Sequence, residues 1–158
     1  MRLPPPGDQE EFYHALLQGA REESEQAVIM LLWRTGMHAS TLCQQTFDFH
    51  VDGGIIWCRP KTKRSMRATM PDADIKLVQR VINAGLLPAT TRTLARWVQR
   101  IGLRAGHSGV CPLTLRHSRA IWLLDQQMPV NRVASLLGCS YAVLEKHYAQ
   151  IEAARLIE

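Results

Sequence analysis

The period of the apolar residues changes twice along this chain, and the change limits the folds open to it. Before residue 47 and after residue 71, apolar residues recur at helical spacing, as in Phe12, Leu16 and Leu17, then Ala27, Val28, Leu31 and Leu32. Between them lie strand signals: a turn at Asp52-Gly53-Gly54, the β-branched and aromatic run Ile55-Ile56-Trp57, and a second run at Ala68-Thr69-Met70. A basic tip, residues 61–64, separates the two runs. The expected fold class is mostly α with a small antiparallel β-sheet insert, either a hairpin or three strands.

Punctuation refines the helices. Residues 9–33 divide into two helical stretches with their acids on the exposed side, and Gly36 ends or interrupts the second. Residues 40–45 add a turn. Asp72 is expected to cap a helix through Lys76, Val78 and Val81 that stops near Gly85. Residues 90–104 form the clearest helix: Arg92, Arg96, Arg100 and Arg104 sweep about 120° of one face, opposite Leu94, Trp97, Val98 and Ile101. Helices over 114–127, 130–137 and 141–154 complete the chain, with Trp97 and Trp122 in the core. With no internal repeat, low-complexity stretch or linker, the 158 residues are expected to form one domain.

Several classes are excluded. An apolar fraction of 46% and a charged fraction of 21% argue for a packed core rather than disorder. No apolar run approaches the ~18 residues that span a bilayer, and the first residues lack a signal-peptide pattern, so a cytoplasmic protein with no membrane partner is expected. Cys43, Cys58, Cys111 and Cys139 form no CxxC pair and are read as reduced thiols. Cys111 and Cys139 with His107, His117 and His147 match no ligand spacing, so neither a metal nor a cofactor is expected.

Charge points to a partner. Nineteen Lys and Arg against fourteen Asp and Glu give +5, and six of the acids fall in the first 30 residues. From Ile75 to Leu124 there are eight basic residues and no acid. Fifteen of the nineteen cations are Arg, whose planar fork grips phosphate oxygens in pairs. A polyanion fits this pattern; a solvated basic face is the alternative.

Three segments resemble one family. LLWRTGMHASTL at 31–42, WCRPKTKRSMRATMP at 57–71 and LTLRHSRAIWLLDQQMPVNRVASLLGCSYAVLEKHYAQI at 113–151 are similar, in order and spacing, to the catalytic domain of tyrosine recombinases, the phage-integrase family. The resemblance runs from about residue 9 onward. It implies a domain in which a tyrosine hydroxyl attacks a DNA phosphate, leaving a 3′-phosphotyrosyl link and a free 5′-hydroxyl without metal or cofactor. Negative charge building on the phosphate would be stabilised by Arg and His donors, and a Lys would protonate the departing oxygen.

Residue by residue, the resemblance puts Tyr148 at the nucleophile, Arg116 at the second arginine and Lys61 at the general acid. His38 stands where the first arginine is expected, Leu113 where a His or Lys is expected, and Cys139 where a His is expected. Arg34 lies one turn before His38, and His117, His107 and His147 are further donors that a compensating site would draw on. Double-stranded DNA is the expected partner, touched by Lys63, Arg64 and Arg67 in the hairpin tip, by Thr91, Arg92 and Arg96 at a helix start, and by His117 and Arg132. Exchange of the last helix between copies, or a catalytically complete recombinase, would supply a protein partner. The N-terminal clamp domain of most family members is expected to be absent. The resulting expectation is a DNA binder linked to recombination or integration of a mobile element, impaired in catalysis and accessory or regulatory in role. The alternative is an active site-specific recombinase working through Tyr148.

Overall fold

A computed structural model of the chain describes residues 3–58, 64–137, 142, 144–146 and 149. Within them run α1 (Gln9–Gly19), α2 (Glu23–Thr35), α3 (Ala39–Gln44), β1 (Phe47–Phe49), β2 (Gly54–Cys58), β3 (Ser65–Thr69), α4 (Asp72–Asn83), α5 (Thr91–Arg104), α6 (Pro112–Asp125) and α7 (Val130–Leu137). The fold is mostly helical with a three-stranded antiparallel sheet in the order β1-β2-β3. The expected helix over 141–154 lies largely outside the described residues.

α2 is the centre of the molecule. Ala27, Val28, Ile29, Leu31, Leu32 and Trp33 are all fully buried or nearly so, because α1, α4, α5, α6 and β3 pack around it. A helix covered on all sides is apolar on all sides. Trp33 is tied into this core by a buried relay: its indole N–H donates to Ser118 Oγ at 3.0 Å, and that hydroxyl donates to Gln9 Oε1 at 2.8 Å. The relay joins α1, α2 and α6 and satisfies polar groups that burial would otherwise penalise.

The exit from α2 aims the next segment. The Thr35 hydroxyl donates to Leu31 O and accepts from Met37 N–H at 3.0 Å, while Gly36 takes the left-handed conformation at φ 69°. A side chain at Gly36 would collide with Leu137, so α7 rests directly on this turn. In the sheet, the Asp52-Gly53-Gly54 turn closes with Gly53 at φ 82° and with Asp52 Oδ1 accepting from Gly54 N–H at 3.0 Å.

Four sequence expectations are corrected. Asp72 is the first residue of α4 rather than its cap, which is Pro71; its carboxylate pairs instead with Lys76 one turn on, at 3.1 Å. α6 starts at Pro112, two residues earlier than expected, since proline suits a first helical turn with no N–H to satisfy. Glu25 is buried instead of exposed, because Arg104 reaches it across the fold at 2.9 Å. Trp97 and Trp122 are half-buried at the edge of the core.

Candidate functional site

The turn after α2 and the first turns of α6 bring His38 and Arg116 together across 78 residues of sequence. Arg116 lies on the buried face of α6 and is 7% exposed. One terminal nitrogen, Nη1, is 2.8 Å from His38 Nδ1 and 2.9 Å from Nε2, and the other donates to the Leu137 carbonyl at 2.7 Å. A guanidinium cannot accept, so the imidazole nitrogen facing it is the acceptor and carries no proton. Leu137 is available because α7 lies over Gly36. The helix docked on the turn thus holds one terminal nitrogen of the fork expected at the second-arginine position.

The recess at this pair is poor in donors. It is a cavity of about 200 Å³ lined by Met37, His38, Ala39, Pro112, Leu113 and Arg116. Leu113, 38% exposed, presents hydrocarbon to it. What the arrangement offers an oxyanion is one charged fork, already engaged with a neutral imidazole and a carbonyl, beside an apolar wall. Transition-state stabilisation of a phosphate needs several donors aimed at its developing charge, and the described side chains here supply few.

Lys61, Lys63, Cys139 and Tyr148 lie outside the described residues, as does His147. Arg64 is exposed, and its Nη2 donates to Ser135 Oγ on α7 at 2.7 Å. Arg67 belongs to the middle of β3, opposite Ile56, rather than to the hairpin tip, and forms an ion pair with Asp52. The Gly54 N–H, then Arg67, hold the Asp52 carboxyl below the usual carboxylate range. Thr91, Arg92 and Arg96 are exposed on the first turns of α5, with Thr90 capping the helix by accepting from Thr93 N–H at 3.1 Å. Arg132 is exposed near the start of α7, and His117 is half-buried beside Arg116.

The expected arginine stripe of α5 is divided by the fold. Arg92, Arg96 and Arg100 are exposed, whereas Arg104 donates to Glu25 Oε1 at 2.9 Å and to the Gly19 carbonyl at 3.1 Å. Burial works to raise the Glu25 carboxyl, but the Arg21 backbone N–H and the Arg104 guanidinium outweigh it and hold the group below its ordinary value. Arg104 is therefore a tie between α1, α2 and α5.

Two residues considered as substitute donors are placed elsewhere. Arg34 pairs with Asp74 at 3.3 Å and lies over the rings of Tyr13 and Trp33. His107 stands edge-on to Phe12, with ring centroids 5.1 Å apart. Sequence reasoning passed over Arg119, which lies over Trp122 and Trp33 at 4.3 and 4.8 Å from the ring centroids. Its legible trace is the spacing from Arg119 to Trp122, which stacks the two side chains one helical turn apart.

The sequence profile of the phage integrase family matches residues 6–155. Among solved structures, the XerA recombinase superposes with a TM-score of 0.74 at 19% identity, over 92% of this chain and 58% of that one. The XerH site-specific recombinase bound to difH substrate in a pre-cleavage complex gives 0.69 at 20% identity, over 99% of this chain and 54% of that one. The Tn1549 transposon integrase in complex with transposon right end DNA gives 0.68 at 19% identity, over 100% of this chain and 67% of that one. This chain thus spans between half and about two thirds of those chains. A search of curated proteins finds no match.

Proposed function

Because the chain belongs to the phage integrase family, we propose that it is a DNA-binding protein of the tyrosine-recombinase type, impaired in strand cleavage and accessory or regulatory to recombination or integration of a mobile element. The observation that carries this reading is the engagement of Arg116 by His38 at 2.8 Å. At the position expected to hold the first phosphate-gripping arginine stands an imidazole, His38, that instead accepts from the second, Arg116. Leu113 adds hydrocarbon at another donor position. Loss of one preorganised donor slows such chemistry by ~10²–10³, and losses within one catalytic unit do not simply multiply.

Duplex DNA is the proposed partner. XerH is bound to difH substrate and the Tn1549 integrase is in complex with transposon right end DNA, and this chain presents Arg92, Arg96, Arg100, Arg64 and Arg132 to solvent. Such contacts release counterions, so binding should weaken steeply with salt. No described helix is long and apolar enough to cross a membrane, and a DNA partner suits action in the cytoplasm. The second reading is an active recombinase that cleaves through Tyr148. It is favoured by one feature: the Leu137 carbonyl holds Arg116 ready oriented at 2.7 Å. In either case a second copy, or a catalytically complete recombinase, is the proposed protein partner.

The test is covalent trapping. Duplexes retained by the protein from a random pool are offered in nicked form, so that religation is blocked, then denatured in SDS, with Tyr148→Phe as control. Retained DNA without an adduct supports the proposal. A Tyr148-dependent adduct establishes the second reading, and failure to retain any duplex at low salt overturns both.

A further inference from the structure

A second basic recess is lined in part by Leu137, whose carbonyl accepts from Arg116. It is a cavity of about 290 Å³ between α2, β3, α6 and α7. Three arginines line it, Arg34 from α2, Arg67 from β3 and Arg119 from α6, with Thr69 beside them and Leu123 and Leu137 on its apolar side. No carboxylate is among the described residues that line it. Arg116 is not part of this lining; Arg119 follows it by one helical turn.

The three forks are held differently. Asp74 takes Arg34 through Nε, and Asp52 takes one terminal nitrogen of Arg67. Each guanidinium has five N–H groups, so both keep donors beyond these pairs. Arg119 has no ion pair among the described residues; its guanidinium carbon lies over the rings of Trp122 and Trp33, and Nη1 is buried without a hydrogen bond. Burial, then the neighbouring Arg34 charge, push its pKa down to about 10.

The rings do not complete this arrangement. The face of an indole attracts the cation, but it does not replace the acceptors that the guanidinium N–H groups need. A buried N–H left unmade carries its full desolvation penalty, and a buried charge is ordinarily paired. A water would accept one N–H and leave the mutual repulsion of Arg34 and Arg119 untouched. A compact oxyanion with several acceptor oxygens answers both requirements, since each oxygen takes charge-assisted bonds from planar forks. We propose that this cavity is a binding site for a phosphate group, gripped by Arg119 together with Arg34 and Arg67. The group belongs to a DNA backbone or to a small soluble phosphate ester. The site stands apart from the question of whether the chain cleaves DNA.

The probe is inorganic phosphate, compared with chloride at matched ionic strength, and the readout is the thermal unfolding midpoint. At a phosphate concentration about ten times the dissociation constant, binding raises the folding equilibrium roughly elevenfold. Phosphate also stabilises proteins non-specifically, so the comparison between variants decides. The wild type should shift more than Arg119→Met, which keeps side-chain length and removes the charge. Arg67→Gln, on an exposed strand position, should also lose part of the shift and covers the case in which Arg119→Met folds poorly. Anisotropy with a labelled duplex separates the two sources. If the occupant is a backbone phosphate, Arg119→Met weakens duplex binding and lowers the salt slope by about one; if it is a soluble ester, the duplex affinity of Arg119→Met stays at the wild-type value while its phosphate shift is lost. Equal phosphate shifts in the wild type, Arg119→Met and Arg67→Gln overturn the site.

Discussion

Replacing Arg116 with Met tests whether this side chain is a structural strut of the fold. Arg116 is 7% exposed, so its bonds form away from bulk water. The substitution removes a donor that meets the Leu137 carbonyl at 2.7 Å and a second that meets His38 at 2.8 Å. A hydrogen bond from a charged donor contributes ~1.5–3 kcal/mol, and the carbonyl left behind is penalised for its burial. Against this, Met no longer buries a guanidinium, which returns part of the desolvation cost. The net expectation is a loss of about 2 kcal/mol, which for a chain of this size lowers the midpoint by roughly 4–8 °C. Thermal melts followed by circular dichroism, with urea titrations as a second route, measure it. Arg116→Lys should recover little, because a single ammonium on a linear stem does not span both acceptors as the fork does. A midpoint for Arg116→Met equal to or above the wild type refutes the reasoning, and would mean that Arg116 is held for a ligand at the expense of the fold.

Three other outcomes are expected. Gly19→Ala should destabilise by ~1–3 kcal/mol, since a Cβ there would stand 2.6 Å from the Ile101 carbonyl oxygen and 3.3 Å from Ala105 N; an unchanged urea midpoint would mean that α1 and α5 shift apart freely. Ser118→Ala breaks the relay between Trp33 and Gln9 and should cost ~1–3 kcal/mol, visible as a lower thermal midpoint; wild-type stability would show that the relay is replaceable. Glu25 has a folded pKa below its ordinary value, so its contribution is complete above the usual carboxylate range and is lost as pH falls through the lowered value. Glu25→Gln should therefore be less stable than the wild type near neutrality and lose less between pH ~7 and ~3; parallel pH curves for the two proteins would contradict the assignment.

Much of the fold was written locally. The change of apolar period marked where helices give way to the sheet, and Gly36, Asp52-Gly53-Gly54 and Gly85 punctuated it at turns where the structure has positive φ at Gly36, Gly53 and Gly85. Those features depend on residues a few positions apart, which is the range over which backbone preference and one-face burial act. The family resemblance likewise rests on linear motifs, and it reached Arg116 and His38 as positions. What it could not reach was their contact, because that bond joins residues 78 apart.

The fate of the charged side chains was decided by the tertiary structure alone. Arg92, Arg96, Arg100 and Arg104 share one helical face in sequence, yet Arg104 turns to Glu25, 79 residues away, while the other three stay in solvent. Arg34 is drawn to Asp74, and Arg119 is enclosed by two indoles. Helical periodicity assigns a side chain to a face, but whether that face meets water, a carboxylate or a ring depends on which elements pack against it. The energy of a charge changes far more with its surroundings than with its position in a local pattern.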